Sequence, residues 1–134
     1  MDKVNIACVI DDDPIYTYTV KRIIDRSLIA DKTLFFSDGK QAFDFFKENS
    51  AQTDRLPDLI LLDINMPVWD GWQFMDEFVK ISNTIKKKIT VYVVSSSIDE
   101  DDHRKACSYK QIADFVIKPI SDEVLKKMVE YISA

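Results

Sequence analysis

Four polar clusters in this chain have the residue types that phosphoryl chemistry needs. They are the acidic run Asp11-Asp12-Asp13, Asp63 with Asn65, the serines Ser95, Ser96 and Ser97, and Lys118 followed by Pro119. Each stands directly after a short apolar run. Carboxylates gathered in a partly dry pocket repel one another unless cations join them. Lys118 supplies one positive charge. A hard divalent ion with oxygen ligands supplies the remainder, and Mg²⁺ suits a site of one or two direct carboxylates plus waters. Metal and ammonium then neutralise the oxygens of a transferring phosphoryl group, and a hydroxyl hydrogen-bonds another. One of the carboxylates is the natural nucleophile, forming an acyl phosphate. Singly, each cluster has a plainer reading: an acidic run caps a helix, serines turn a chain, and a Lys-Pro is a loop. Their placement after four of five apolar runs favours a site.

Those runs must be the elements that position the clusters. They are Val4–Ile10 (VNIACVI), 33–36 (TLFF), Leu59–Leu62 (LILL), 89–94 (ITVYVV) and 115–117 (FVI). Near-continuous Val, Ile and Leu of this kind suits strands buried on both faces of a parallel sheet. Helical segments lie between them. Asp13-Pro14 reads as N-cap and first helical residue, followed by the stripe Val20, Ile23, Ile24 and Leu28, ending near Asp31. Ala42, Phe45 and Phe46 mark a second helix. Asp70 with Gln73 opens a third through a capping box, with Phe74, Met75, Phe78 and Val79 on its buried side. A weaker fourth runs over about 99–110. Ser121 caps the fifth, striped by Leu125, Met128, Val129 and Ile132. Five β–α units predict a doubly wound α/β fold with a parallel sheet and right-handed crossovers. In such sheets ligands bind beyond the carboxyl ends of the strands, where the four polar clusters stand.

Composition narrows the classes. A chain of 134 residues fits one domain, and two Gly and four Pro leave no flexible linker. The formal charge of −5 argues against a nucleic-acid binder, which needs a basic footprint. The sequence predicts no membrane span and no signal peptide. Two distant cysteines, Cys8 and Cys107, predict a reducing, cytoplasmic setting and no disulfide. Cys8 is expected in the core and Cys107 packed on the fourth helix.

The stretch LLDINMPVWDGW, from Leu61 to Trp72, resembles the phosphorylation-site segment of response regulator receiver domains of two-component systems, in particular the single-domain, chemotaxis-type receivers. The acidic run, Ser95, Phe115 and Lys118-Pro119 fall in the family's order and approximate spacing. The resemblance spans the chain from Val4 to the last helix. It implies the flavodoxin-like strand order 2-1-3-4-5, one receiver domain over residues 1–134 and no output domain. Residue by residue, Asp63 matches the phosphoacceptor, and Asp11 and Asp12 match the acidic pair. Asp12 is then the direct Mg²⁺ ligand, and Asp11 holds a metal-bound water. Asn65 stands where a backbone carbonyl completes the metal site. Ser95 matches the switch hydroxyl, Phe115 the switch aromatic, and Lys118 the lysine that contacts the phosphoryl group, before a Pro119 often joined by a cis bond. Three positions depart from or vary within the pattern. Ser96 adds polarity where a small residue is common, KQIADF lacks the usual Gly-Ala, and Ser97 stands where members tune dephosphorylation.

The function expected is a Mg²⁺-dependent signalling receiver rather than an enzyme, with at most weak self-phosphorylation and autodephosphorylation. A histidine kinase or histidine phosphotransfer protein would donate to Asp63. Output would be phosphorelay or contact with an unknown protein target, the chain being a monomer or a weak phosphorylation-dependent dimer. Two rivals come from other classes. A haloacid-dehalogenase-like phosphatase would use the acids of the run Asp11-Asp12-Asp13, but no Thr or Val stands two places after the second acid. A receiver-like adaptor would bind partners without phosphorylation, against which the intact acceptor, acidic pair and lysine count. His103, in the run EDDHRK, is expected on a solvated helix face, and Lys86-Lys87-Lys88 in a solvated loop. Trp69 and Trp72 are expected mainly to pack.

Overall fold

The computed structural model describes residues 3–133. Strands β1 (Val4–Ile10), β2 (Ala30–Phe36), β3 (Leu59–Leu62), β4 (Thr90–Ser95) and β5 (Ile112–Ile117) form one sheet in the order β2-β1-β3-β4-β5. Every neighbouring pair is parallel. The connections are helices α1 (Pro14–Ser27), α2 (Gly39–Glu48), α3 (Gly71–Ser82) and α4 (Glu100–Cys107), and α5 (Asp122–Ser133) follows β5. This is the flavodoxin-like (βα)₅ arrangement. Strand order reverses between β1 and β3, so a crevice opens beyond their carboxyl ends.

Period-two alternation sorts the near-continuous apolar strands onto two faces. Cys8, Ile10, Ile60, Leu62, Val91 and Val93 point to the side covered by Ala42 and Phe46 of α2, Phe74, Met75 and Phe78 of α3, and Ala106 of α4. Ala7, Val9, Leu59, Leu61, Tyr92 and Val94 meet Val20 and Ile24 of α1 and Leu125, Met128 and Val129 of α5. Caps fix where the helices begin. Asp13 accepts from the amides of Ile15 and Tyr16, Asp70 and Gln73 form a full capping box, and Val124 N–H donates to Ser121 Oγ.

Element ends differ from the sequence reading at the sheet edges. α1 stops at Ser27, because Leu28 turns left-handed at φ 54° and leaves its side chain exposed. β2 therefore starts at Ala30. β5 begins at Ile112, three residues early, since Ala113 and Asp114 of this edge strand face outward. β4 runs one residue further, to Ser95. α4 is shorter than expected and leaves Cys107 exposed, whereas Cys8 is fully buried. Lys87 is not solvated either: its ammonium meets Asp58 at 3.3 Å and the carbonyls of Thr53 and Leu56.

Candidate functional site

Each strand end delivers its side chain through local backbone pairing. Asp11 N–H donates to Phe36 O at 3.0 Å and Asp63 N–H to Ile10 O at 2.9 Å, so both acids leave the sheet side by side. Asp11 Oδ1 accepts from Asp13 N–H at 2.9 Å, and Asp63 Oδ1 from Ile64 N–H at 2.8 Å. Asp13 itself is spent on capping α1. Ser95 closes β4 fully buried, and its carbonyl accepts from Lys118 N–H at 2.9 Å. The Lys118–Pro119 peptide is cis. The Asp-Gly of the sequence segment has a steric reason. A Cβ on Gly71 would lie 2.5 Å from Asp63 O and 2.9 Å from Ile64 Cα, so only glycine lets α3 start this close to the backbone of Asp63.

The side chains converge as expected. Carboxylate oxygens of Asp11, Asp12 and Asp63 lie within 4.8 Å of one another. Asp11 and Asp63 are buried, while Asp12 and Asn65 face solvent. Lys118 Nζ reaches Asp11 Oδ2 at 2.8 Å and Asp63 Oδ2 at 3.7 Å. One ammonium does not balance three carboxylates. Burial, and then the charge of Asp11, push the Asp63 carboxyl up to about 6, against the pull of Lys118, the Ile64 amide and the Ser95 hydroxyl. Burial also raises Asp11, with Lys118 and the Asp13 amide opposing it and Asp12 adding to it. Hard oxygen donors, close spacing and residual negative charge are what a Mg²⁺ site requires, so the residues fit that ion.

A polar relay runs from Ser95 to α4. Ser97 N–H donates to Ser95 Oγ at 3.3 Å, and Ser97 Oγ donates to Asp102 at 2.6 Å. Asp102 also accepts from Trp72 Nε1 at 3.4 Å. His103, expected on a solvated face, is instead half-buried: it stacks on Phe115 with ring centroids 3.8 Å apart, and Nε2 lies 3.4 Å from Ser97 O. Trp72 is buried and stacked on Tyr109, as the packing reading anticipated, and Trp69 is half-buried against Phe43. Sequence reasoning missed Tyr16, whose ring lies under Lys118 Nζ at 4.0 Å. The signal was present. Tyr16, Val20 and Ile24 share one face at i, i+4, i+8.

Comparison with known proteins agrees with this fold. Residues 7–130 match the family described as response regulator receiver domain. The chain is 30% identical over 127 residues to a probable methanogenesis regulatory protein, FilR2, of Methanothrix harundinacea, spanning 95% of this chain and 80% of that one. It superposes on a two-component response regulator from Cytophaga hutchinsonii with a TM-score of 0.88, at 29% identity and 98% coverage of both chains. The fold also matches the receiver domain of a Pseudomonas aeruginosa PAO1 sensor histidine kinase, solved with a magnesium ion coordinated in its active-site cleft (TM-score 0.75, 21% identity, 97% and 98% coverage). This chain belongs to the response regulator receiver domain family.

Proposed function

We propose that Asp63 accepts a phosphoryl group from a phosphohistidine of a histidine kinase or histidine phosphotransfer protein, and that the phosphorylated chain signals through contact with a protein partner in the cytoplasm. The observation that carries this reading is the seating of Asp63: a buried carboxylate at the end of β3, 3.7 Å from the Lys118 ammonium and within 4.8 Å of the carboxylate oxygens of Asp11 and Asp12. At neutral pH it is the anion a nucleophile must be. A carboxylate oxygen attacks phosphorus, the new O–P bond forms as the donor's N–P bond breaks, and the imidazole keeps the electron pair and takes a proton. Lys118, already between Asp11 and Asp63, balances charge on the phosphoryl oxygens. Ser95 offers a hydroxyl from the neighbouring strand. Asp11, Asp12, Asp63 and the backbone carbonyl of Asn65 would hold Mg²⁺, which supplies further positive charge for those oxygens when bound.

The family does not favour the dehalogenase-type reading, and the acids such a phosphatase would use have other work here. Asp11 is bonded to Lys118, and Asp13 caps α1. The reading is tested by mixing the chain with histidine kinases labelled from radioactive ATP. Label should move to this chain only with Mg²⁺ present, be lost in Asp63→Asn and be slowed in Lys118→Ala. Transfer that survives in Asp63→Asn would refute it.

A further inference from the structure

Tyr16 sits in the first turn of α1, its amide held by the Asp13 cap at 3.3 Å. Its ring carries the Lys118 ammonium at 4.0 Å from the centroid, closer than the cation–ring distances of 5.2 to 5.9 Å elsewhere among the described residues. The same ammonium is 2.8 Å from Asp11 and 3.7 Å from Asp63. Three groups therefore bound it: two carboxylates and one aromatic face. Pairing with Asp11 alone would leave the long lysine chain several rotamers. The ring beneath adds a third contact that favours this one.

The hydroxyl of Tyr16 is the second observation. It is buried and has no hydrogen-bond partner, one of two such side-chain oxygens among the described residues. Buried hydroxyls are almost always paired, so this one needs an explanation. Both Asp11 and Asp63 act on it through space, adding to burial in holding its proton on. With its proton held on, the hydroxyl is free to donate, and it lies within electrostatic reach of the Asp63 carboxylate. Phosphorylation of Asp63 brings strong acceptor oxygens into the same crevice.

We propose that Tyr16 is a positioning residue of the phosphoryl site: its ring seats the Lys118 ammonium, and its buried hydroxyl donates to an oxygen of the phosphoryl group on Asp63. The hydroxyl half rests on the phosphoacceptor reading above; the ring half does not. An ammonium over a ring face is shielded by the ring current, whatever the site later binds. The side-chain resonances of Lys118 in the metal-free full chain should therefore lie upfield. Tyr16→Phe should keep that shift and Tyr16→Leu should abolish it.

The hydroxyl is read separately, with Mg²⁺ and beryllofluoride as the phosphoryl mimic. Tyr16→Phe should weaken beryllofluoride binding by about threefold to tenfold, the factor one hydrogen bond is worth. Its Mg²⁺ affinity should stay that of the parent, and its thermal midpoint without the mimic should not fall, because the hydroxyl has no partner there to lose. A merely structural role would lower that midpoint. Equal beryllofluoride affinities in Tyr16→Phe and the parent would overturn the hydroxyl's role, and a Lys118 shift unchanged in Tyr16→Leu would overturn the ring's. A parent chain that binds Mg²⁺ but neither beryllofluoride nor phosphoryl label would refute the phosphoacceptor reading and the hydroxyl's role with it. The shift measurement still decides the seat of Lys118.

Discussion

The buried Asp63 carboxylate costs the fold stability at neutral pH. Asp63 titrates near 6 in the folded chain, against an ordinary carboxylate value of ~3.9. Between those values the fold holds a proton that the unfolded chain has released. The associated stability is present below ~3.9 and is lost as pH rises through about 6. Asp63→Asn should therefore stabilise the metal-free protein at pH 7 by about 1–2 kcal/mol after screening, with the gain fading as pH is lowered toward 4. Thermal melts across pH in a chelating buffer check this; a destabilised variant at pH 7 would contradict it. The convergence of Asp11, Asp12, Asp63, Ser95 and Lys118 was legible in the sequence because they stand at or just beyond the ends of apolar runs, where one rule of α/β sheets gathers them. The burial of Tyr16 could be read from its helix face, but its contact with Lys118, and those of Asp102 and His103, could not. Their roles arise from contacts with residues brought near only by the sheet, as in Trp72–Asp102 and His103–Phe115.

Among the elements, α4 is tied to the site by a polar chain and a ring stack, while β5 is laddered to β4 as far as Ser95 and Ile117. Ser97 links Ser95 to Asp102, and His103 covers Phe115. We predict that Ser95, on turning toward a phosphoryl oxygen, gives up the amide of Ser97 and vacates space beside β4. Phe115 has no hydroxyl to lose, but it must leave the His103 ring to enter that space. The bias needed is a few kcal/mol, within reach of one charge-assisted contact plus a metal. Beryllofluoride with Mg²⁺ should thus change amide exchange mainly over residues 95–118, and Ser95→Ala should lose most of that change while still binding the mimic. Changes confined to α1 and α2 would contradict this route. The same elements were the least legible. Edge strands β2 and β5 carry outward polar residues that break the apolar runs, and α4 has a single buried residue, Ala106. The central strands β1 and β3 and the capped starts of α1, α3 and α5 matched because burial on both faces and side-chain caps are local, readable constraints.

At the scale of the whole molecule, the sheet separates two apolar layers and leaves one charged rim. The rim holds three carboxylates within 4.8 Å and a single ammonium, in a chain of net charge −5. No described helix is long and apolar enough to cross a membrane. Ile98 and Ile117 are exposed beside His103 and Arg104, at the end of the molecule that the Ser95 relay reaches. This places exposed apolar side chains next to α4 and at the end of β5. The account as a whole depends on which atom receives the phosphoryl group. The direct measurement is to phosphorylate the full chain with acetyl phosphate and Mg²⁺, reduce the acyl phosphate with borohydride, and locate the reduced residue by mass spectrometry. Reduction at Asp63 alone is the predicted result; reduction at Asp11 or Asp12, or a stable phosphate on Ser95, would contradict it.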